Sequence, residues 1–207
     1  MTVTATRFAY DDKRAAGRWS GLLTATAQEC LAVLHERAGR DWTRPAHGLD
    51  WTCRQTLGHL ALGLTGYAGL LIARPQDRYV ALHASLDPEA SVDVCLEGVG
   101  IAASLLARTV DSTPGDVRAW HPWGHSDSSG FAAMGAVELA LHTYDITAAL
   151  GTPHPPSDSL AEAVLGRLFP EAPPGHRPCD TLLWSTGRAA LPGLGRRSAW
   201  QWDGTVR

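Results

Sequence analysis

Apolar residues recur every three to four positions along most of this chain, which is the spacing of an amphipathic helix. In the first such stretch they are Leu22, Leu23, Ala27, Cys30, Leu31 and Leu34. Runs rich in Pro and Gly, such as TRPAHG and TPGD, interrupt the pattern and separate the helices. The predicted helices span 11–37, 52–73, 88–110, 126–151, 157–169 and 180–188.

Two helix boundaries carry specific capping signals. Thr52 opens the motif TCRQ, a Thr-x-x-Gln capping box at the start of the second helix. Ser126 or Asp127 caps the fourth helix, which ends at Gly151 with Pro153 beyond it. These signals place His59 two turns into the second helix.

Two segments lack the helical pattern. The stretch VRAWHPWGHSDSSG, before the fourth helix, is aromatic and Gly-rich and predicts a short strand or an ordered loop. The terminal stretch SAWQWDGTV alternates apolar and polar residues and predicts either a strand or a strap across the helices. The predicted fold is all-α: an antiparallel four-helix bundle over residues 1–151, with a C-terminal extension over 152–207 that packs on it.

Composition narrows the class of protein. Hydrophobic residues make up 44% of 207 residues, enough for a substantial core. The net charge is −3 and the basic residues are scattered, which argues against nucleic acid and against an anionic membrane surface as partners. The N-terminus lacks an apolar signal core, and the longest apolar stretch, 57–73, is broken by Gly, Thr and His. We therefore expect a soluble cytoplasmic protein.

The four cysteines form no CxxC pair, so neither a zinc ribbon nor a thioredoxin motif is present. We expect free thiols, mostly buried in helices.

The fourth helix, which contains MGAVELALHTYDITAALG, carries three polar groups among apolar residues. At about 100° per residue, Glu138 and His142 lie roughly 40° apart around the helix, and Asp145 lies roughly 20° to the other side of Glu138. Val137, Leu141 and Ala148 share or border that stripe, so the polar trio is predicted to face inward.

Glu138 and His142 are about 6 Å apart along the helix axis, close enough to reach one cation. Zinc accepts imidazole nitrogen and carboxylate oxygen, and a catalytic zinc commonly has three protein ligands. His59 is the best third ligand because it lies in an apolar helix of the same bundle. Asp145 is predicted to orient a histidine or a bound water. The alternatives are a solvated Glu138–His142 surface pair and a His59 satisfied within the core.

Other residues are weaker candidates. His121 and His125, in HPWGH, line the mouth of the cavity in one interpretation, with His125 as a general acid or base; in the other they are ordinary loop histidines. Trp120 and Trp123 either wall a pocket or pack in the core. Arg188 either binds a carboxylate of substrate or thiol, or stabilises the end of its helix.

Two segments resemble a known family. LDWTCRQTLGHLA and VELALHTYDITAALG, about eighty residues apart, resemble the two signatures of the mycothiol-dependent maleylpyruvate isomerase N-terminal family of the DinB-like superfamily. TLLWSTGRAALPG is similar, more loosely, to the tail of short family members. The resemblance covers roughly residues 15–150. It implies a DinB-like bundle and metal ligands at His59, Glu138 and His142.

The resemblance also implies zinc as the usual metal and a low-molecular-weight thiol, such as mycothiol or bacillithiol, as cosubstrate. A thiolate formed at the metal then attacks an electrophile, or adds to a double bond and is eliminated after rotation. These reactions give S-transfer and cis–trans isomerisation respectively. The short segment after residue 151 favours thiol transfer, or a metal-assisted reaction on another small molecule, over the maleylpyruvate isomerisation itself.

Three functional hypotheses follow. The leading one is a metal-dependent enzyme that acts on a small molecule with a thiol cosubstrate. The second is a metal-binding or small-ligand-binding bundle without catalysis, and the third is a structural bundle in which Glu138 and His142 form an ion pair. Association into a homodimer is a further expectation for a bundle with exposed apolar faces.

Overall fold

The computed structural model describes the backbone of residues 2–207 and the side chains from residue 17 onward. Six helices contain most of the chain, and the expectation of an all-α bundle is confirmed. They are α1 (Thr2–His35), α2 (Cys53–Ala73), α3 (Val92–Ser112), α4 (Ser128–Leu150), α5 (Asp158–Leu168) and α6 (Pro178–Ser185).

The two helix starts with a recognised cap are confirmed, and the first, third and sixth helices start at other residues than predicted. Thr52 and Gln55 form the capping box of α2, and Asp127 accepts a hydrogen bond from the amide of Gly130 at the start of α4. The third helix begins at Val92 rather than at 88, because Ser91 caps it by accepting from Val94 N–H. The sixth helix ends before Gly187, whose φ of 68° leaves the helical region.

The two segments without helical pattern are ordered loops. Within residues 2–207 the backbone forms isolated β-bridges, such as Ala119 with Ser126, and no strand. The terminal segment is the predicted strap: Asp203 N–H donates to the Leu168 carbonyl at 2.8 Å, and Gly204 N–H donates to the Trp123 carbonyl at 2.7 Å. Trp202, which belongs to this strap, is buried.

The bundle is organised around α4. α1 and α2 each pack against both α3 and α4. A Cβ added to Gly135 would lie 2.6 Å from Leu106 Cδ2, 3.1 Å from Leu64 Cδ2 and 3.3 Å from Leu23 Cδ1. Only a glycine lets side chains of three neighbouring helices converge on the middle of α4 at these distances.

Because neighbours surround it, α4 is buried on nearly all sides, and its polar residues have little access to bulk water. α5 packs against α4 and α6, which brings the segment after residue 151 onto the bundle. The division of the chain at residue 151 into a bundle and an extension stays a prediction.

By length and composition α2 is apolar enough to cross a membrane. Half of its most apolar stretch is buried inside the protein, where α2 packs against α3 and α4. Core helices of soluble proteins pass the same test, so this is weak evidence for a membrane. The cytoplasmic location stays a prediction.

Candidate metal centre

Two helices carry the three predicted ligands to one place. The capping box at Thr52 fixes the start of α2, and His59 follows two turns later with its side chain 33% exposed. Glu138 and His142 lie one turn apart on α4, with side chains 16% and 9% exposed. The helical spacing therefore directs both α4 groups inward, as predicted.

The donor atoms of the three residues lie within 4.8 Å of one another. Glu138 Oε2 is 3.3 Å from His59 Nε2 and 3.0 Å from His142 Nε2. The two imidazole rings meet nearly edge to face, with centroids 5.0 Å apart.

This donor set fits a divalent cation. Ligand atoms at 2.0–2.1 Å from a tetrahedral zinc are separated from one another by about 3.3 Å, and both carboxylate–imidazole distances are close to that value. Two neutral nitrogens and one anionic oxygen are also the donors that zinc accepts. His59, Glu138 and His142 are therefore the residues that would hold the metal.

The charges at this centre are strongly coupled. Burial by itself would lower the pKa of His142, but hydrogen bonds to the carboxylates of Asp145 and Glu138 outweigh it and raise the pKa to about 9. Burial likewise opposes ionisation of Glu138, yet His142 and His59 hold the pKa of that carboxyl well below its usual range. Glu138 is thus an anion at neutral pH, and a cation at this place competes with the proton on His142.

Asp145 and Arg188 form the support behind His142. The Asp145 carboxylate lies 3.2 Å from His142 Nδ1 and is 1% exposed. Arg188 donates to Asp145 through two atoms, Nε at 2.9 Å and Nη2 at 2.6 Å. When Nδ1 carries the proton shared with Asp145, the lone pair of Nε2 faces Glu138 and is free for a metal.

These contacts bear on two predicted roles. Asp145 contacts a candidate metal ligand, which matches the orienting role that the sequence suggested for it. The guanidinium of Arg188 is engaged bidentately by Asp145, so its charge is already neutralised. The alternative of a carboxylate-binding Arg188 therefore has less physical support than a role in fixing Asp145.

The triad faces a cavity of about 560 Å³, which we call the site cavity. Its far wall comes from the chain after α6, and it includes three arginines. The lining residues are His47, Gly48, Leu49, Trp51, His59, Val137, Glu138, Leu141, His142, Asp145, Thr186, Gly187, Arg188, Arg196, Arg197, Ser198, Trp200 and Trp202. Arg196 donates from Nε to the Gly187 carbonyl, and the Arg197 guanidinium lies over the Trp184 ring at 5.2 Å.

Neither histidine of HPWGH lines the site cavity. His125 shares a hydrogen bond with the Gln76 carbonyl at 2.9 Å, and it is not among the residues that line the site cavity. His121 is buried among aromatic rings, where its Nδ1 accepts from Trp123 N–H at 3.2 Å. Burial lowers the pKa of His121 to about 4, against the attraction of Glu138. It is therefore neutral at physiological pH.

Two further residues near the centre were not predicted from sequence. Tyr67 is buried beside Glu138, and burial together with that carboxylate raises the pKa of the phenol well above 10, so it stays protonated. Trp51 packs on His59 with ring centroids 4.9 Å apart. Trp51 directly precedes the cap residue Thr52, so the sequence predicts its position at the start of α2. The sequence does not predict that its ring packs on His59.

The chain's own thiols lie in the interior. All four cysteines are free and buried, as expected from their spacing. Burial raises the pKa of Cys30 to about 12 and that of Cys53 to about 11. Both of these thiols therefore stay protonated at neutral pH.

An all-α bundle with two imidazoles and a carboxylate facing a cavity defines the class: a helical-bundle protein with a candidate metal centre. The model of the mycothiol maleylpyruvate isomerase N-terminal domain family matches residues 23–147, more than half of the chain. The chain belongs to this family, and the resemblance seen in its two signatures is confirmed. Neither a curated protein nor a solved structure matches the chain.

Proposed function

We propose that this protein is a metal-dependent enzyme that joins a low-molecular-weight thiol of the mycothiol type to a small electrophile, or uses that thiol to isomerise one. The observation that carries the proposal is the convergence of three donor atoms within 4.8 Å at the wall of a cavity of about 560 Å³. Membership of a family named for mycothiol supports the choice of thiol.

The chemistry assigns distinct tasks to the residues. His59, Glu138 and His142 would hold the metal, most simply Zn²⁺, and a bound divalent cation lowers the pKa of a thiol so that thiolate is available near neutral pH. Asp145 keeps the proton of His142 on Nδ1, and Arg188 keeps Asp145 in place.

The site cavity suits a polar, hydroxylated thiol. Arg196, Arg197 and Ser198 line the wall formed by the chain after α6 and offer hydrogen-bond donors to such a molecule. Trp200 and Trp202 line the same wall and limit access of water to the reacting atoms. In this proposal the C-terminal segment recognises the thiol, and residues of α2 and α4 activate it.

The first experiment measures metal content. The wild type, His142→Ala and a control, His154→Ala, are purified identically and analysed for transition metals. His154 is a partly exposed histidine that pairs with Glu29 on the surface. We expect about one metal per chain in the wild type and in the control, and loss of it in His142→Ala. Equal metal content in all three proteins would refute the metal centre.

The second experiment measures turnover. Metal-loaded protein is mixed with mycothiol, bacillithiol or glutathione and with monochlorobimane, whose thioether product is fluorescent. We expect a rate above background with mycothiol that disappears in His142→Ala and persists in His154→Ala. Bound metal without a rate for any of these thiols would instead favour the non-catalytic metal-binding bundle.

A further inference from the structure

A second cavity of about 590 Å³ opens between α2 and the start of α3, and we call it the α2–α3 cleft. Its volume is typical of sites for small molecules rather than for protein segments. Its lining is mainly apolar and includes Trp51, Leu62, Ala84, Leu86 and Pro88.

The outer wall of the cleft is held firmly against α2. Arg54 donates to the carbonyls of Asp87, Pro88 and Ala90 at 3.3, 2.8 and 2.6 Å. Leu86 packs so closely over α3 that a Cβ on Gly98 would lie 2.6 Å from its Cδ2. Residues 86–90 are therefore held against α2 and α3 and form the fixed part of the outer wall.

Backbone groups already engage part of each charged side chain in the cleft. Arg54 Nη2 donates to the three carbonyls, and Asp87 Oδ1 accepts from Glu89 N–H at 2.9 Å. What remains exposed to a ligand is largely hydrocarbon, with Leu62 38% exposed on α2. Because most of the lining is hydrocarbon, burial of an apolar, uncharged group is favoured here, whereas an ionic ligand would lose hydration over most of its surface.

The cleft meets the site cavity at the Trp51–His59 pair, because both residues line both cavities. The backbone of Trp51 is fixed, since its carbonyl accepts from Ala46 N–H at 2.8 Å, while the residue is 45% exposed. The indole thus separates two openings that share one candidate metal ligand. Thiol transfer joins two molecules, and two cavities that meet at one centre would bind one molecule each.

From this geometry we propose that the α2–α3 cleft is the subsite for an apolar, uncharged electrophile. The polar thiol occupies the site cavity, and the electrophile reaches the same centre past the Trp51–His59 pair. This assignment rests on the proposed function, which supplies the need for two substrates.

The test measures binding of a neutral, apolar fluorescent probe, N-phenyl-1-naphthylamine, to full-length protein without thiol. Leu62→Glu introduces a carboxylate into the cleft. Ile72→Glu places the same charge on the same helix at a residue that is 71% exposed and lies outside both cavities. We expect Leu62→Glu to weaken probe binding at least tenfold and Ile72→Glu to leave it within twofold. Monochlorobimane should displace the probe, and the charged electrophile iodoacetate should not.

A second variant, on the opposite wall, distinguishes loss of the cleft from misfolding of Leu62→Glu. Ala84→Glu brings a carboxylate from the opposite wall, on an exposed loop, and should weaken the probe in the same way. Equal binding by Leu62→Glu, Ala84→Glu and wild type, or no binding by wild type, would overturn the proposal. Because the probe is measured without turnover, binding that persists in a protein without thiol-transfer activity would refute the proposed function and leave the apolar subsite in place.

Discussion

Replacing Asp145 by Asn removes the charge that both Arg188 and His142 face. The side chains of Asp145 and Arg188 are 1% and 11% exposed, so the change leaves a nearly buried guanidinium opposite a neutral amide. Breaking a buried pair in this way costs about 3–5 kcal/mol of the free energy of unfolding. The matched control is Glu36→Gln, whose partner is Arg37 and whose side chain is 74% exposed; it should cost less than about 1 kcal/mol.

The same substitution should weaken metal binding. The Asp145 carboxylate holds the proton of His142 on Nδ1, whereas an Asn amide presents either its oxygen or its nitrogen and fixes the tautomer less strongly. Loss of such a partner behind a metal ligand typically costs about 10–100-fold in affinity. Competition with a fluorescent zinc chelator measures this effect at fixed pH, with Glu36→Gln expected to match the wild type.

Stability is measured by urea unfolding of the metal-stripped proteins, so that weaker metal binding does not enter the free energy. A double variant, Asp145→Asn with Arg188→Gln, removes both charges and should lose less than the sum of the two single variants, with a coupling of about 1–3 kcal/mol. Additive losses would refute the buried ion pair. A Kd for zinc within twofold of wild type in Asp145→Asn would refute the orienting role.

Two further predictions concern packing at the start of α4 and in the loop before it. Gly130→Ala should destabilise the protein by about 2–4 kcal/mol, because the new Cβ would clash with Ser126 Oγ and the buried Arg167 guanidinium. The control is Gly166→Ala, whose new Cβ would meet no atom within 4 Å and which should be neutral or stabilising. Thermal unfolding compares the two variants with the wild type. His121 has a folded pKa of about 4 against 6.5 unfolded, so the unfolded state takes up its proton first as pH falls. Between pH 6.5 and 4, wild type should therefore lose about 3 kcal/mol more than His121→Phe in urea titrations, and parallel pH profiles would contradict this.

Much of the bundle was readable from the sequence because its signals are local. The capping box at Thr52 and the Gly-Pro stop after α4 fixed two helices within a few residues, and helical spacing alone put Glu138 and His142 on one inward face. The helix α3 begins at Val92 and not at the predicted Pro88, because Ser91 provides the side-chain cap.

The long-range contacts were not readable. Arg188 was recognised as a candidate, but its partner Asp145 is 43 positions away, and no local pattern links them. The cavity wall could not be predicted from the sequence either. Arg196 and Trp202 line the cavity only because hydrogen bonds hold the terminal segment to α5 and to the loop before α4. Hydrogen bonds between backbone atoms make these ties, and backbone atoms carry no sequence signature.

The centre draws on two parts of the chain that differ in their relation to the family. His59, Glu138, His142 and Asp145 all lie within residues 23–147, which match the family model. The opposite wall, from Thr186 to Trp202, lies outside that match. Substitutions in the wall change the shape and charge of the cavity and leave the donor set intact. The exception is Arg188, which reaches across to Asp145, so a change at this one position alters the metal centre as well as the wall.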